Sequence, residues 1–271
     1  MAQEVSVNVP EGMDREEAMS LLDHLRELRD RLFKSALALA IGTGITSIFY
    51  AQLLNFIAEP LRHINPNATL PVLIATTPFE SLSNIFTVCV TVGAALAFPV
   101  ILYQIIAYIA PGLLDHEKRW LKIGFPFALI LFSLGVYFTW RVFLPSALPF
   151  LLGFLPELID SRLKLDEYIP FVMGMMFWMG LAFEMPLIMF VLAKANLISA
   201  AALRKNWRYA VVGISIVAAV ITPTPDPVNM FLVMLPLLVL YVMSIGMAYI
   251  ARRGVIVPAM IDTTENIEKS Q

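Results

Sequence analysis

The sequence is short of charge. Only 15% of its 271 residues are Asp, Glu, Lys or Arg, against about 25% in soluble domains. The charges it has are clustered between long uncharged runs, which excludes an ordinary water-soluble domain. A basic excess is missing too. The net charge of −2 leaves no electrostatic footprint for nucleic acid or an acidic macromolecule. Cysteine is limited to Cys89, inside an apolar run, so neither a disulfide framework nor a cysteine metal site can be built, and Cys89 reads as a small buried hydrophobe. The three histidines, His24, His63 and His116, stand singly, without metal-ligand spacing. There is no glycine-rich phosphate loop for a nucleotide. No second acid stands inside an apolar run to make an acid dyad with the one described below. These absences read as a protein that is not an enzyme and uses no metal and no cofactor. Residues 1–19 are polar and acidic, unlike a basic n-region followed by an apolar h-region, so the chain is expected to be inserted without signal cleavage.

What the sequence does have is apolar length. Hydrophobic residues make up 59% of it. A helix needs roughly 20 apolar residues to cross a hydrocarbon core of about 30 Å, and six runs are candidates: Ser35–Leu54, Ser83–Tyr108, Ile123–Trp140, Tyr168–Ala193, Tyr209–Ile221 and Asn229–Ile250. Counted in alternate connecting segments, 15 of the 19 basic residues fall on one side and only Arg62, Arg141, Arg162 and Lys164 on the other. The rich side is expected to be cytoplasmic, with both termini on it. The fold class is therefore an all-α membrane protein of six transmembrane helices. Residues 1–19 form a polar extension, 20–253 the membrane domain and 254–271 a cytoplasmic tail. The fifth run is anomalous. Its 13 residues rise only about 20 Å, so it must thin the bilayer, hide behind neighbours or draw the interface inward. No internal repeat is evident, which weakens an inverted-repeat transporter. The segments 55–80 and 142–167 are long, proline-rich and apolar, and read as caps on the outer surface.

Four places carry chemistry. Residues 20–32 place Leu21, Leu25, Leu28 and Leu32 on one helical stripe. Ser20 and Asp23 resemble a capping box, and Glu27 can pair with Arg31 across one turn. Periodicity favours a surface helix with a solvated charged face over a recognition surface. The loop after Tyr108 is broken by Pro111-Gly112, then places Glu117 beside Lys118 and Arg119. Its default reading is a local ion pair, its sharper one a binding carboxylate. Glu184, in Phe183-Glu184-Met185-Pro186, is a mid-span acid. Such a group costs at least a few kcal/mol and usually faces a bundle interior or a wet cavity, while Pro186 frees backbone carbonyls beside it. Asp226, after Thr222-Pro-Thr-Pro, either caps the sixth helix or meets a partner, the cap being the simpler reading.

These residues also carry a family likeness. His24-Leu-Arg-Glu27-Leu-Arg29-Asp-Arg31, Phe98-Pro-Val-Ile-Leu-Tyr-Gln104, Ile109-Ala-Pro-Gly112, His116-Glu-Lys-Arg119, Phe183-Glu-Met-Pro186 and Ile221-Thr-Pro-Thr-Pro-Asp226 resemble, in order, the motifs of TatC, the core subunit of the twin-arginine protein translocase. The match runs over about residues 20–253. The resemblance implies a receptor for folded precursors bearing an Arg-Arg signal peptide, working with TatA- and TatB-type single-span subunits and driven by the protonmotive force. It also implies a concave, glove-like bundle in a bacterial inner membrane. By motif, the signal-binding carboxylates fall on Glu27 and Glu117, with Arg29 in support and Tyr108 as the neighbouring aromatic. Pro60 matches a proline of the first external segment, and Glu184 and Asp226 match the mid-span and external acids. Tyr108 stands where phenylalanine is common, and Met230 where glutamine is frequent. Two guanidinium groups reaching a membrane surface need carboxylates, best in bidentate geometry. Without the resemblance, the competing readings are a proton-coupled small-solute transporter using Glu184 and a passive membrane scaffold.

Overall fold

The computed structural model describes residues 15–64, 73–112, 115–152, 163–222 and 227–252. Asp226 lies outside them, as does the side chain of Glu117. Among the described residues ten α-helices follow one another: α1 Arg15–Ile48, α2 Tyr50–Ile64, α3 Pro78–Ile109, α4 Asp115–Phe138, α5 Leu144–Leu152, α6 Leu165–Ala182, α7 Met185–Lys194, α8 Ala200–Lys205, α9 Trp207–Ile221 and α10 Pro227–Arg252. Four stretches are each long and apolar enough to cross a membrane: Pro78–Ile109, Arg119–Pro149, Leu165–Lys194 and Met230–Ala251. Asp23–Ile48 and Tyr50–Leu61 meet that standard together, bent by 81°. The remaining run, α9, has 15 residues and is about 22 Å long. All six apolar runs are thus helical, and the fifth is short, as expected. Only 17–33% of the four long apolar windows is buried; the rest would be an intolerable apolar surface in water and suits lipid.

Three boundaries differ from expectation. The first span ends at Ile48 rather than Leu54, because α2 is two-faced. Ile57, Pro60 and Leu61 are buried while Gln52 and Asn55 are exposed, a pattern for lying on a surface, not for crossing it. Arg141 does not end the third run. The chain passes it in a wide π-type turn, Thr139–Phe143, and continues as α5. The turn precedes Pro145, which has no N–H to give the ordinary ladder. Ser20 is not a cap either: α1 starts by Arg15 and is one unbroken helix into the first apolar run.

The chain divides into two compact units, residues 1–181 and 182–271. In the first, α1 and α3 form the main helix pair. Helix α3 starts where Thr77-Pro78-Phe79-Glu80 provides a threonine cap and a proline at the first position. The Glu80 carboxylate returns to the Thr76 N–H at 2.6 Å, a variant of the capping box. Phe98 stacks on Phe132 of α4 at 4.0 Å, and Gly180 of α6 lies against the same ring. The two segments expected to cap the outer surface are joined by a two-residue parallel ladder, Leu73–Ile74 (β1) beside Leu163–Lys164 (β2). Tyr168, 2% exposed, donates to the Ile57 carbonyl of α2 at 2.8 Å. In the second unit α7 packs on α10 through Ala193, Ala248 and Ala251, with Phe190, Ala200 and Leu203 around them. Tyr241 of α10 donates to the Leu203 carbonyl at 2.7 Å.

Candidate functional site

The α1–α3 pair is held unusually close. A β-carbon on Gly42 would stand 2.5 Å from the Gly93 carbonyl oxygen, and one on Gly93 would stand 2.5 Å from the Thr43 nitrogen. Only glycine at both positions lets the two backbones touch. One turn further along, Thr46 Oγ1 donates to the Cys89 carbonyl at 2.7 Å. Contacts 31 with 104, 42 with 93 and 46 with 89 run in opposite directions along the two helices, so the pair is antiparallel and in one register. That register sets what meets at the end where α1 begins and α3 stops.

There, His24, Glu27 and Arg31 share one face of α1, three and four residues apart, opposite Gln104 and Tyr108 of α3, also one turn apart. Arg31 Nε donates to Glu27 Oε1 at 2.9 Å, and Arg31 Nη2 donates to the same oxygen. Arg31 Nη1 reaches across to Gln104 Oε1 at 3.4 Å. The His24 ring stacks on Tyr108, centroids 4.5 Å apart and planes 16° from parallel. His24 Nδ1 stands 3.9 Å from Glu27 Oε2. The Glu27 side chain is 36% exposed and that of Arg31 22%. The Glu27–Arg31 pair expected from the one-turn spacing is therefore present. The leucine stripe is not its neighbour: Leu25, Leu28 and Leu32 are 59%, 41% and 67% exposed, and α3 takes the polar face instead.

The other expected site residues are dispersed. Arg29, two positions past Glu27, points round the helix and binds Asp30 Oδ1 with Nε at 2.9 Å and Nη2 at 2.7 Å. It does not join Glu27. Glu117 lies in the first turn of α4, a short three-residue turn of 3₁₀ helix, Ala110–Gly112, and two further residues after Tyr108's helix ends. Pro60 is buried inside α2, where it withholds the N–H that the Phe56 carbonyl would otherwise receive; Tyr168 donates to the neighbouring Ile57 carbonyl. Glu184 is 6% exposed and occupies the two-residue break between α6 and α7, where Met185 and Pro186 open the next helix. Among the described residues no group of three His, Cys, Asp or Glu could hold a metal. Sequence reasoning missed His24 and Gln104 as partners of the site. Their one-turn offsets from Glu27 and Tyr108 were the available signal, but it becomes legible only with the register of two helices.

Fold and site together define a multi-pass helical membrane protein whose first helix pair displays a braced carboxylate at one end. The profile of the family described as "Sec-independent protein translocase protein (TatC)" matches residues 23–236. The chain belongs to the TatC family. It is 40% identical over 236 residues to the Sec-independent protein translocase protein TatC of Deinococcus radiodurans, covering 86% of each chain. It is 38% identical over 240 residues to that of Aquifex aeolicus, covering 87% of this chain and 97% of the relative. A crystal structure of the twin arginine translocase receptor TatC superimposes with a TM-score of 0.77 at 38% identity, over 85% of this chain and all of that one. The all-α membrane fold and the translocase reading are borne out; these relatives are named as protein translocases, not as solute transporters.

Proposed function

We propose that this chain is the receptor subunit that binds the Arg-Arg pair of twin-arginine signal peptides. In this reading it sits in a bacterial inner membrane with both termini cytoplasmic. It assembles with TatA- and TatB-type single-span subunits and with further copies of itself, and moves folded precursors at the expense of the protonmotive force. It performs no covalent chemistry. Glu27 and Glu117 receive the guanidinium groups, Tyr108 supports them, Arg29 acts from the neighbouring face of α1 where it is paired with Asp30, and Glu184, Pro60 and Asp226 serve the membrane and outer parts of the machine.

One observation carries the reading: Glu27 is a carboxylate already fitted to a guanidinium, because Arg31 holds its Oε1 with two N–H groups. Among the described residues no guanidinium holds Oε2, which is turned toward His24. A second guanidinium can bind through Oε2 or take the place of Arg31. A planar five-donor fork makes such contacts, and an ammonium does not reproduce them. The short turn between α3 and α4 keeps Glu117 near the same helix end in sequence, which suits a second carboxylate for the second arginine.

The test is crosslinking of an Arg-Arg precursor to Glu117→Ala and Glu27→Ala variants in membranes. Hydrogen bonds to charged groups contribute about 1.5–3 kcal/mol, so each loss is expected to weaken binding about 10–100-fold. Replacement of Glu117 by Arg is expected to be worse through like-charge repulsion. A Lys-Lys precursor should bind weakly to the parent and lose little more. If both precursors weaken by the same factor, the carboxylates are not reading arginine.

A further inference from the structure

Glu27 does not stand alone on its helix. Its two carboxylate oxygens are approached from opposite sides along α1, by Arg31 one turn after it and by His24 one turn before it. Each of those side chains is in turn tied to α3, Arg31 to Gln104 and His24 to Tyr108. The result is a bracket with two arms, both rooted on the neighbouring helix, and with Glu27 between them. One face of the Tyr108 ring is already covered by the imidazole at 4.5 Å, so an arriving arginine cannot stack there without displacing it.

We infer that His24 and Tyr108 act as one unit that positions Glu27, and that the aromatic ring at 108 serves recognition through His24 rather than by touching the signal peptide. This rests on the reading of Glu27 as a signal-binding carboxylate. The physical case is entropic and geometric. A glutamate on a helix surface samples several rotamers, and binding must freeze one of them. Arg31 fixes Oε1 but leaves the side chain free to swing about that contact. His24 closes the second side, and stacking on Tyr108 removes the imidazole's own freedom. The stack is near-parallel and partly exposed, the geometry in which an aromatic contact stiffens a surface side chain at small desolvation cost. Gln104 does the same for Arg31, holding Nη1 so that Nε and Nη2 remain on the carboxylate.

The experiment measures binding of a fluorescent Arg-Arg signal peptide, and of its Lys-Lys version, to the full-length chain in lipid nanodiscs. The variants are His24→Ala, Tyr108→Leu, the double variant and Tyr108→Phe, each also made in a Glu27→Gln background. His24→Ala and Tyr108→Leu are each expected to weaken Arg-Arg binding about 2- to 10-fold, the span of an aromatic pair. The double variant should be no worse than the stronger single, because both remove the same arm. Tyr108→Phe keeps the stack and is expected to restore binding. In the Glu27→Gln background neither substitution should matter, an outcome that a general packing role would not produce. His24→Phe keeps a ring on Tyr108 but lacks the nitrogen near Oε2. It guards against misfolding and is expected to bind as poorly as His24→Ala.

Additive losses, losses that persist with Gln at 27, or failure of Tyr108→Phe to restore binding would each overturn the inference. So would wild-type binding by His24→Phe. If Glu27→Gln weakens binding while the His24 and Tyr108 variants do not, only the bracket falls. If Glu27→Gln itself binds the Arg-Arg peptide normally, the receptor reading of Glu27 falls with it.

Discussion

A methyl group added at Gly42 should wedge the first helix pair apart, whereas one added two residues later should cost nothing. At Gly42 the new β-carbon would lie 2.5, 3.2 and 3.3 Å from the O, C and Cα of Gly93. All three are backbone atoms of a helix and none can rotate aside. Ordinary contact begins at 3.4 Å, so the nearest approach is about 0.9 Å too short and α1 and α3 must part by roughly that much. Overpacking of this kind costs about 1–3 kcal/mol, and the separation also forfeits dispersion along the seam, where a gap of 0.5–1 Å loses about a quarter to a half of each contact. The Thr46–Cys89 hydrogen bond at 2.7 Å would stretch. The Arg31–Gln104 contact, already 3.4 Å, would be lost. Gly44 is the control: nothing lies within 4 Å of a β-carbon there, and alanine is about 1 kcal/mol better than glycine inside a helix.

Thermal unfolding of the detergent-solubilised protein checks the stability half. Gly42→Ala should melt below the parent, and Gly44→Ala at or above it. Arg-Arg peptide binding checks the other half, because Glu27 is placed by the same register; Gly42→Ala should lose affinity and Gly44→Ala should keep it. Equal melting temperatures for the two variants would refute the close-packing argument. A destabilised Gly42→Ala with undiminished binding would instead cut the link between seam and site.

Tyr168→Phe removes the hydroxyl that donates to the Ile57 carbonyl while leaving that carbonyl its place in the α2 ladder, and is expected to destabilise by about 0.5–1.5 kcal/mol, read as a lowered unfolding midpoint with peptide binding unchanged. If polarity rather than charge is what Glu184 supplies, Glu184→Gln is expected to sustain export of a twin-arginine reporter better than Glu184→Leu; equal failure of both would make the charge itself essential. Reporter fusions after Gln271 and within residues 142–167 should report opposite sides of the membrane, as the basic asymmetry requires, and the same side for both would sink the six-span topology.

The spans were legible because their cause is one-dimensional: a run of uncharged residues long enough for the bilayer needs no tertiary information. The short fifth helix was legible for the same reason, bounded by Tyr209 and the Thr222-Pro223 stop, and α9 extends the estimate only to Trp207 at its start. The failures have physical causes of another kind. Leu54 was assigned to the first span because hydropathy cannot see an 81° bend; the alternation of buried Ile57 and Leu61 with exposed Gln52 and Asn55 records it, but only once the partner surface is known. Arg141 reads as a terminus because it is charged, yet it lies exposed within the π-type turn, where a long side chain can carry its charge away from apolar surroundings.

The site shows the same division more sharply. Glu27 and Arg31 could be paired from sequence, since one helix supplies the geometry. His24 with Tyr108 and Arg31 with Gln104 could not, because each contact spans more than seventy residues and depends on the stagger of α1 against α3. That stagger is set by Gly42 and Gly93, which in a sequence are merely small residues. Nor could hydrophobic periodicity help, and here it pointed to the wrong face. In water the leucine stripe of α1 would be driven against α3. Beside lipid there is no such drive, because hydrocarbon tails are as apolar as leucine, and helices associate instead through small residues and polar contacts. The exposed Leu25, Leu28 and Leu32 and the α3-facing His24, Glu27 and Arg31 continue that contact face to the helix end at the membrane surface, where an apolar stripe can lie against the lipid boundary. In a membrane helix pair, then, the polar and small residues mark the contact face, and a carboxylate on that face is placed to be held by its neighbours rather than hidden by them.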